Sequence, residues 1–221
     1  MRAVLELLAA DPTAPTAVRD PARAWDVHVA DSLAGLEVPG LREAARIADV
    51  GAGAGFPGLV LAAALPEATV DLIESIGRKR AFMQSAIDRA AIANAAVIGD
   101  RSAAWAARPP PAGGREAYDA VTARAVGRLS TLAELASPLL REGGFLVAWK
   151  GRRDEDEEAE LDRAASRLAM EPVEIRWVGP YAGSRNRHLH VMRKAGPTPP
   201  DLPRRPGMAK KRPFGRDHTA R

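Results

Sequence analysis

The chain of 221 residues contains no cysteine and no uninterrupted apolar run of about 18 residues. The lack of cysteine excludes disulfide bonds, thiolate nucleophiles, cysteine-ligated zinc and iron–sulfur clusters, and it is typical of a reducing compartment. The lack of a long apolar run excludes a membrane-spanning helix. The N-terminal apolar stretch, residues 1–10, includes Arg2 and Glu6 and is too short for a signal peptide with its cleavage site. We therefore expect a cytoplasmic protein.

The composition is that of one globular domain with an uneven charge distribution, 46% hydrophobic and 27% charged. Residues 194–221 hold eight Lys or Arg and two Asp, a local charge of +6 in a chain whose net charge is +4. Such a segment suits a polyanionic partner, because lysine and arginine gain affinity for phosphates by releasing counterions. A solvated tail that aids solubility has the same composition, and charge alone does not separate the two. Residues 195–221 are rich in proline and lack periodicity, so they are predicted to form a flexible arm.

Between residues 46 and 194, short β-rich runs alternate with longer helical stretches, a pattern that predicts a parallel sheet covered by helices. The predicted strands are 46–50, 69–74, 95–98, 120–124, 145–149, 173–178 and 188–193. The predicted helices are 58–65, 78–93, 102–107, 129–140 and 154–169. About nine residues join the last two strands, too few for a helical crossover, so these strands should pair antiparallel. The sequence therefore predicts an α/β, Rossmann-like fold with a seven-stranded, mostly parallel sheet and an antiparallel C-terminal hairpin.

One amphipathic helix is predicted before the sheet, over residues 20–36. Its apolar side consists of Trp25, Val29, Leu33 and Leu36, and its polar side includes Arg23, Asp26 and Asp31. The chain is thus divided into an N-terminal helical cap (1–45), a central domain (46–194) and the basic arm (195–221). The acidic run 154–157 is interpreted as the start of a helix rather than a metal site, because carboxylates favour the first turn.

The strongest chemical signal is the glycine-rich stretch from Asp49 to Gly58, which follows a predicted strand and opens a helix. Glycines there permit positive φ values and a close approach of the backbone to a ligand. Glu74 ends the next strand, where a carboxylate can accept hydrogen bonds from both ribose hydroxyls of an adenosyl cofactor. The pattern therefore predicts a site for a nucleotide-like cofactor.

The register of the glycines distinguishes two cofactors. Gly53, Gly55 and Gly58 satisfy the dinucleotide pattern, but the glycine directly after the strand is Gly51, and the residue three after Gly53 is Phe56. The pattern suits S-adenosyl-L-methionine, which carries a sulfonium cation. Asp49 is expected to supply either a nearby negative charge for this cation or a hydrogen-bond anchor. An NAD(P)-dependent oxidoreductase with a Rossmann fold remains the alternative.

The absence of certain residues and motifs restricts which atoms can accept the methyl group. Methylation of a pyrimidine at carbon 5 usually needs a cysteine adduct, and the chain has no cysteine. Exocyclic amino groups usually require an Asp/Asn-Pro-Pro-aromatic run after the fourth strand, where this chain has residues 122–126, Thr-Ala-Arg-Ala-Val. A ring nitrogen with its own lone pair, such as guanine N7, requires no general base. We therefore predict no catalytic side chain and no metal.

Several segments together resemble the bacterial small-subunit ribosomal RNA guanine-N7 methyltransferases, also called glucose-inhibited division protein B. The similar segments are 18–21 with Trp25, His28 and 31–33; 49–58; 73–75 with 78–82; 118–126; 150–151; 187–189; and 203–207 with 210–213. The resemblance implies a class I S-adenosylmethionine-dependent methyltransferase fold. It also implies methyl transfer from S-adenosyl-L-methionine to N7 of one guanine in the decoding-region loop of 16S rRNA in the small ribosomal subunit. We expect the protein to be a monomer.

Candidate site residues follow from the resemblance and from the pattern itself. The cofactor candidates are Gly51, Gly53, Phe56, Glu74, Ser102, Ala103 and Arg124, with Glu74 assigned on its spacing and Ser102 and Ala103 expected beside the adenine. The RNA-binding candidates are Arg19, His28, Lys150, Arg185, Arg187, Arg204, Arg205, Lys210 and Lys211. We expect removal of residues 195–221 to weaken RNA binding without affecting the cofactor. A non-catalytic RNA-binding protein that retains an S-adenosylmethionine pocket is a further alternative.

Overall fold

The computed structural model describes residues 1–216 and contains a central sheet of seven strands. The strands are β1 (Arg46–Val50), β2 (Thr69–Ile73), β3 (Ala95–Ile98), β4 (Tyr118–Arg124), β5 (Leu140–Lys150), β6 (Met170–Trp177) and β7 (His188–Lys194). Their order is β3-β2-β1-β4-β5-β7-β6; β1 to β5 pair in parallel, and β7 lies antiparallel between β5 and β6. The predicted fold class is therefore confirmed, including the antiparallel hairpin at the C-terminal end of the sheet.

Helices flank both faces of this sheet. They are α1 (Arg2–Ala10), α2 (Pro21–Ala24), α3 (Asp31–Leu33), α4 (Pro39–Arg42), α5 (Gly58–Ala64), α6 (Gly77–Ala90), α7 (Ser102–Trp105), α8 (Leu129–Ala136), α9 (Glu155–Ala165) and α10 (Met208–Lys211). A π-helical turn, Trp25–Ala30, joins α2 to α3, and 3-10 turns follow α3 and α9. None of the helices in the described part of the chain has the length and apolar character that crossing a membrane requires.

Successive residues along each strand contribute to cores on opposite faces of the sheet. Ile47 of β1 belongs to the core formed with α1, α5 and α6, whereas Ala48 belongs to the core formed with α8 and α9. Both faces are therefore buried, as expected for a mostly parallel sheet. The carboxyl ends of the central strands are left as the edge at which ligands can approach.

The N-terminal helical run differs from the predicted amphipathic helix in the face that it buries. Val29 is buried as predicted, but Trp25 is 48% exposed and Leu33 also faces solvent. Asp31, which the helical wheel assigns to the polar side, is buried. The π turn explains the difference, because its wider repeat rotates the following residues away from the 3.6-residue periodicity.

Residues 195–216 pack against the domain, whereas their composition predicts an unpacked arm. Leu202 and Ala209 are buried, and Arg204 pairs with the buried carboxylate of Glu134 in α8. Lys194, at the start of this stretch, is buried and donates to the hydroxyl of Thr198 at 2.8 Å. These anchors are single residues spread among prolines, so they leave no periodic pattern in the sequence. Residues 217–221 of the predicted arm lie outside the described residues.

Candidate functional site

A cavity of about 200 Å³, here called the first cavity, lies where β1 to β4 end. Its lining comes from the turns after these strands, from α7 and α8, and from the C-terminal stretch. The lining residues are Val50, Gly51, Ile73, Glu74, Ser75, Asp100, Arg101, Ser102, Ala103, Val126, Thr131, Leu135, Pro206, Gly207, Ala209 and Lys210. Four of the predicted cofactor residues, Gly51, Glu74, Ser102 and Ala103, thus share one cavity.

The glycine-rich turn after β1 is shaped by close contacts. Gly51 has a φ of +68°, and its amide donates to the Ile73 carbonyl at 2.9 Å. A Cβ on Gly51 would lie 2.8 Å from a methyl group of Val126, so a side chain here would intrude on the cavity lining. Gly53 also has positive φ, but it does not line the cavity.

Asp49 anchors this turn from inside the protein. Its carboxylate accepts hydrogen bonds from the amide of Gly58 at 2.9 Å and from the hydroxyl of Thr122 at 3.0 Å. Burial raises the pKa of Asp49 to about 6. The sequence suggests that Asp49 either balances the charge of a sulfonium or acts as a hydrogen-bond anchor. The geometry shows that it is a hydrogen-bond anchor of the turn.

Glu74 presents a buried carboxylate to the first cavity. One of its oxygens accepts from the amide of Ile76 at 2.9 Å, and the other lies 3.5 Å from the ammonium of Lys79. A carboxylate has about four acceptor positions, so these two contacts leave capacity for hydroxyl donors of a ligand. Ser102 and Ala103, in the first turn of α7, line the same cavity.

Arg124, a predicted cofactor residue, lines a different cavity. This second cavity, of about 240 Å³, is lined by Asp31, Arg124, Ala125, Gly127, Trp149, Lys150, Gly151, Val178, Arg187 and His188. The residues between β4 and α8 border both cavities, since Val126 lines the first and Gly127 the second. Three of the predicted polar residues, Arg124, Lys150 and Arg187, are therefore together in the second cavity.

Asp31 is the carboxylate that organises the second cavity. The guanidinium of Arg124 donates to Asp31 at 3.0 Å, and that of Arg187 lies 3.7 Å from its other oxygen. Lys150 donates to Glu157 at 2.6 Å and to the carbonyl of Gly127 at 3.2 Å. Sequence analysis names Asp31 but does not assign it to the site, because its distance of 93 residues from Arg124 and the π turn both conceal the pairing.

Phe56 and His28 form a buried stack that lines neither cavity. Their ring centroids are 4.7 Å apart and nearly parallel. Burial and the neighbouring Arg124 guanidinium lower the pKa of His28 to about 4, so the imidazole is neutral near pH 7. Because the guanidinium of Arg124 can only donate, Nδ1 of His28 accepts at 3.2 Å, and Nε2 therefore donates to the Thr16 hydroxyl at 3.1 Å. Both nitrogens are used within the protein.

The remaining RNA-binding candidates fall into two groups. Arg19 donates to the carbonyls of Asp11 and Pro12 at 2.6 and 2.8 Å, and Arg204 pairs with Glu134. The other candidates are exposed: Arg185, Arg205, Lys210 and Lys211. The described residues contain no group of three or more His, Asp or Glu that could hold a metal ion.

The sheet order, the glycine-rich turn after β1 and the acidic residue after β2 define a domain of the class I methyltransferase type. A dinucleotide-binding Rossmann sheet has the order 3-2-1-4-5-6, without the inserted antiparallel β7 seen here. The structure is similar to a "predicted O-methyltransferase" from Agrobacterium tumefaciens, with a TM-score of 0.57 and 26% identity, covering 77% of this chain and 81% of that one. It also shares the fold of Methanococcus jannaschii fibrillarin, a pre-rRNA processing protein, with a TM-score of 0.56 and 18% identity over 76% and 74% of the chains.

Within this class, the sequence profile of the rRNA small subunit methyltransferase G family (GidB) matches residues 12–189, and the chain belongs to this family. Curated relatives carry the name ribosomal RNA small subunit methyltransferase G. One from Synechococcus sp. (strain JA-2-3B'a(2-13)) is 34% identical, with 92% of this chain and 79% of the relative covered. One from Rubrobacter xylanophilus is 39% identical, with 89% of this chain and 75% of the relative covered. The family and the fold favour methyl transfer over the oxidoreductase that the glycine pattern leaves open.

Proposed function

We propose that this protein transfers a methyl group from S-adenosyl-L-methionine to N7 of a guanine in 16S rRNA. The observation that carries the proposal is the first cavity, because predicted cofactor residues from three strand ends line it in a chain of this methyltransferase family. The relatives' name supports small-subunit rRNA as the substrate. Guanine N7 is the acceptor that the sequence favours.

The lining of the first cavity fits an adenosyl cofactor. Glu74 has acceptor capacity for two ribose hydroxyls, and the apolar side chains of Val50, Ile73 and Leu135 suit an adenine ring. The small size of Gly51 leaves room that a Cβ would fill. When bound, the cofactor supplies an electrophilic methyl group; these residues only hold and orient it.

The second cavity is suited to the acceptor nucleotide. Arg124, Lys150 and Arg187 are paired with two carboxylates, Asp31 and Glu157, so this group keeps one net positive charge that suits the phosphates of RNA. N7 carries a lone pair, so its methylation removes no proton and the protein needs to supply orientation alone. The neutral His28, with both nitrogens hydrogen-bonded inside the protein, is consistent with a site that uses no general base.

Cofactor binding tests the first cavity. In calorimetric titrations with S-adenosylhomocysteine, Gly51→Val should abolish binding, because its side chain would meet Val126. Glu74→Gln should weaken binding about tenfold through loss of a charged acceptor. Glu67→Gln, an exposed carboxylate before β2, is the matched control and should bind as the wild type does. Wild-type affinity in Gly51→Val, or binding of NAD(P) instead, would contradict the assignment.

Methyl transfer tests the second cavity. Arg187→Gln should lower the rate of methylation of small ribosomal subunits at least tenfold while S-adenosylhomocysteine binds as before, because Arg187 lines only the second cavity. Arg193→Gln removes an exposed cation of β7 that pairs with Glu171 on the surface and serves as the control. Equal rates of methylation by Arg187→Gln and the control would contradict the proposal that the second cavity binds the acceptor nucleotide.

A further inference from the structure

We infer that residues 203–212, here called the basic segment, couple RNA binding to cofactor binding. The inner side of the basic segment closes the first cavity, and its outer side carries exposed cations. RNA bound outside would hold the segment in the position that encloses the cofactor. This inference rests on the proposed function, since it takes the first cavity as the cofactor site.

The inner side of the basic segment is part of the cavity wall. Pro206, Gly207, Ala209 and Lys210 line the first cavity together with Thr131 and Leu135 of α8. The Thr131 hydroxyl donates to the carbonyl of Ala209 at 3.2 Å in a buried contact. Removal of this wall would open the cavity on the side of α8. The expectation that loss of residues 195–221 leaves the cofactor unaffected therefore does not agree with the geometry.

An ionic latch holds the basic segment on α8. The guanidinium of Arg204 donates to both oxygens of Glu134, with Nε at 2.7 Å, and also to the carbonyl of Arg212 at 2.8 Å. Glu134 is only 3% exposed, so the carboxylate depends on this cation for compensation. The ring of Phe214 packs 3.9 Å from the Arg204 guanidinium. The latch therefore fixes the position of the wall.

Few apolar contacts fix the basic segment apart from this latch. Ala209 is its one buried residue, and six of the other residues from 205 to 212 are exposed. A segment held by few buried contacts opens at a lower free-energy cost than the core does. Its position can therefore respond to a ligand bound on its outer side.

The outer side of the basic segment has the charge that an RNA backbone requires. Arg205, Lys210, Lys211 and Arg212 are exposed, and residues 203–212 contain no acidic residue. Glu134 compensates Arg204, which leaves these four cations for phosphates. Lys210 is exposed and also lines the first cavity, so it joins the two sides.

Thermodynamic linkage determines whether bound RNA tightens or weakens the binding of the cofactor. If RNA stabilises the closed position and the cofactor site is complete only in that position, each ligand tightens the binding of the other by the same factor. A coupling of about fivefold or more is typical of such linked sites. The cofactor should therefore bind more tightly to the RNA complex than to the free protein.

Equilibrium dialysis with labelled S-adenosylhomocysteine measures this coupling. The ligand's Kd is determined for the wild type with and without saturating small ribosomal subunits that lack the N7 methyl group, with subunits alone as a blank. We expect the Kd to fall about fivefold or more when subunits are present. An equal Kd in both conditions would overturn the coupling. Failure of the wild type to bind S-adenosylhomocysteine at all would instead overturn the proposed function.

Three variants separate the latch from the outer cations. Glu134→Gln should raise the Kd about tenfold without subunits, because the wall loses its anchor. The triple variant Arg205→Gln/Lys211→Gln/Arg212→Gln removes the exposed cations of the segment that do not line the first cavity, and it should lose the tightening by subunits. Arg193→Gln, outside the basic segment, should keep it. Circular dichroism and thermal melting verify that each variant is folded. Tightening in the triple variant equal to that of the wild type would overturn the role of the basic segment.

Discussion

At the scale of single residues, Gly58 shows how an absent side chain shapes the glycine-rich turn. A Cβ on Gly58 would lie 2.2 Å from a methyl group of Leu72 and 2.8 Å from a carboxylate oxygen of Asp49. The first residue of α5 therefore packs directly on β2 and on the aspartate that anchors the turn. Glycine is needed at this position for close approach, even though its φ is not positive.

Gly58→Ala should lower the free energy of unfolding by about 2 kcal/mol, because the added methyl group overpacks a buried contact. Gly77→Ala is the matched control, since Gly77 also begins a helix but its Cβ would meet only the end of Arg80, at 3.7 Å. The control should be neutral or slightly stabilised. Urea denaturation measures both variants, and equal stabilities would show that the contact at Gly58 relaxes without cost.

The pKa of His28 predicts a pH dependence of stability. It is about 4 in the folded protein and near 6.5 in an unfolded chain, so the unfolded state binds more protons between these values. The contribution of His28 is therefore fully present above pH 6.5 and is lost as the pH falls toward 4. Between about pH 7 and pH 5.5, the free energy of unfolding of the wild type should fall by roughly 1 kcal/mol relative to that of His28→Gln.

The comparison with His28→Gln is needed because Asp49 acts in the opposite direction. Its pKa is raised to about 6, so its contribution to stability falls as the pH rises from about 4 to 6. Both proteins contain Asp49, and the difference between them isolates His28. Urea denaturation at both pH values measures this difference. A wild-type minus variant difference that does not change with pH would contradict the assignment of a neutral, buried imidazole.

At the scale of elements, local patterns predicted the sheet better than the elements around it. The bounds of β1 and β3 agree with the prediction to the residue, because each is a β-rich run that is followed directly by a glycine, Gly51 and Gly99. β5 and β6 begin earlier than predicted, at Leu140 and Met170. Their added residues are held by pairing with β4 and β7, and this tertiary contact has no local signal.

The candidate site was predictable where it depends on strand ends. Gly51, Glu74 and Ser102 follow parallel strands, so topology alone brings them to one edge of the sheet. The pairing of Arg124 with Asp31 and the wall provided by the basic segment join residues far apart in sequence, at places without periodicity. Sequence patterns do not contain that information.

Helix α1, which the sequence analysis considered only as a short apolar stretch, stabilises the domain through α6. Val4, Leu5 and Leu8 are buried against the core that includes α6. Leu8→Ala should therefore lower the free energy of unfolding by about 3 kcal/mol, whereas Glu6→Ala on the exposed side should change it little. Chemical denaturation distinguishes the two, and a small effect of Leu8→Ala would mean that α1 is not part of the cooperative fold.

At the scale of the whole molecule, cations border both cavities. Arg124, Lys150 and Arg187 line the second cavity, and the basic segment borders the first. A polyanion bound across this edge of the sheet would contact both groups of cations. RNA binding is therefore expected to depend strongly on salt.

Lys211→Gln/Arg212→Gln should reduce the slope of log K against log salt for binding to small ribosomal subunits by about 2, since each removed cation leaves one RNA phosphate without its neutralising partner. The exposed Arg193→Gln should leave the slope as it is in the wild type. Filter binding at several salt concentrations provides the slopes. Equal slopes in all three proteins would remove Lys211 and Arg212 from the RNA interface.

Methyl transfer with mapping of the product tests the central claim most directly. Labelled S-adenosyl-L-methionine is incubated with the protein and small ribosomal subunits from a strain without its own N7 enzyme, and the modified base is located. The two adjacent cavities and the family predict label at N7 of one guanine in 16S rRNA. Label on another atom or another RNA, or no label despite cofactor binding, would contradict that claim.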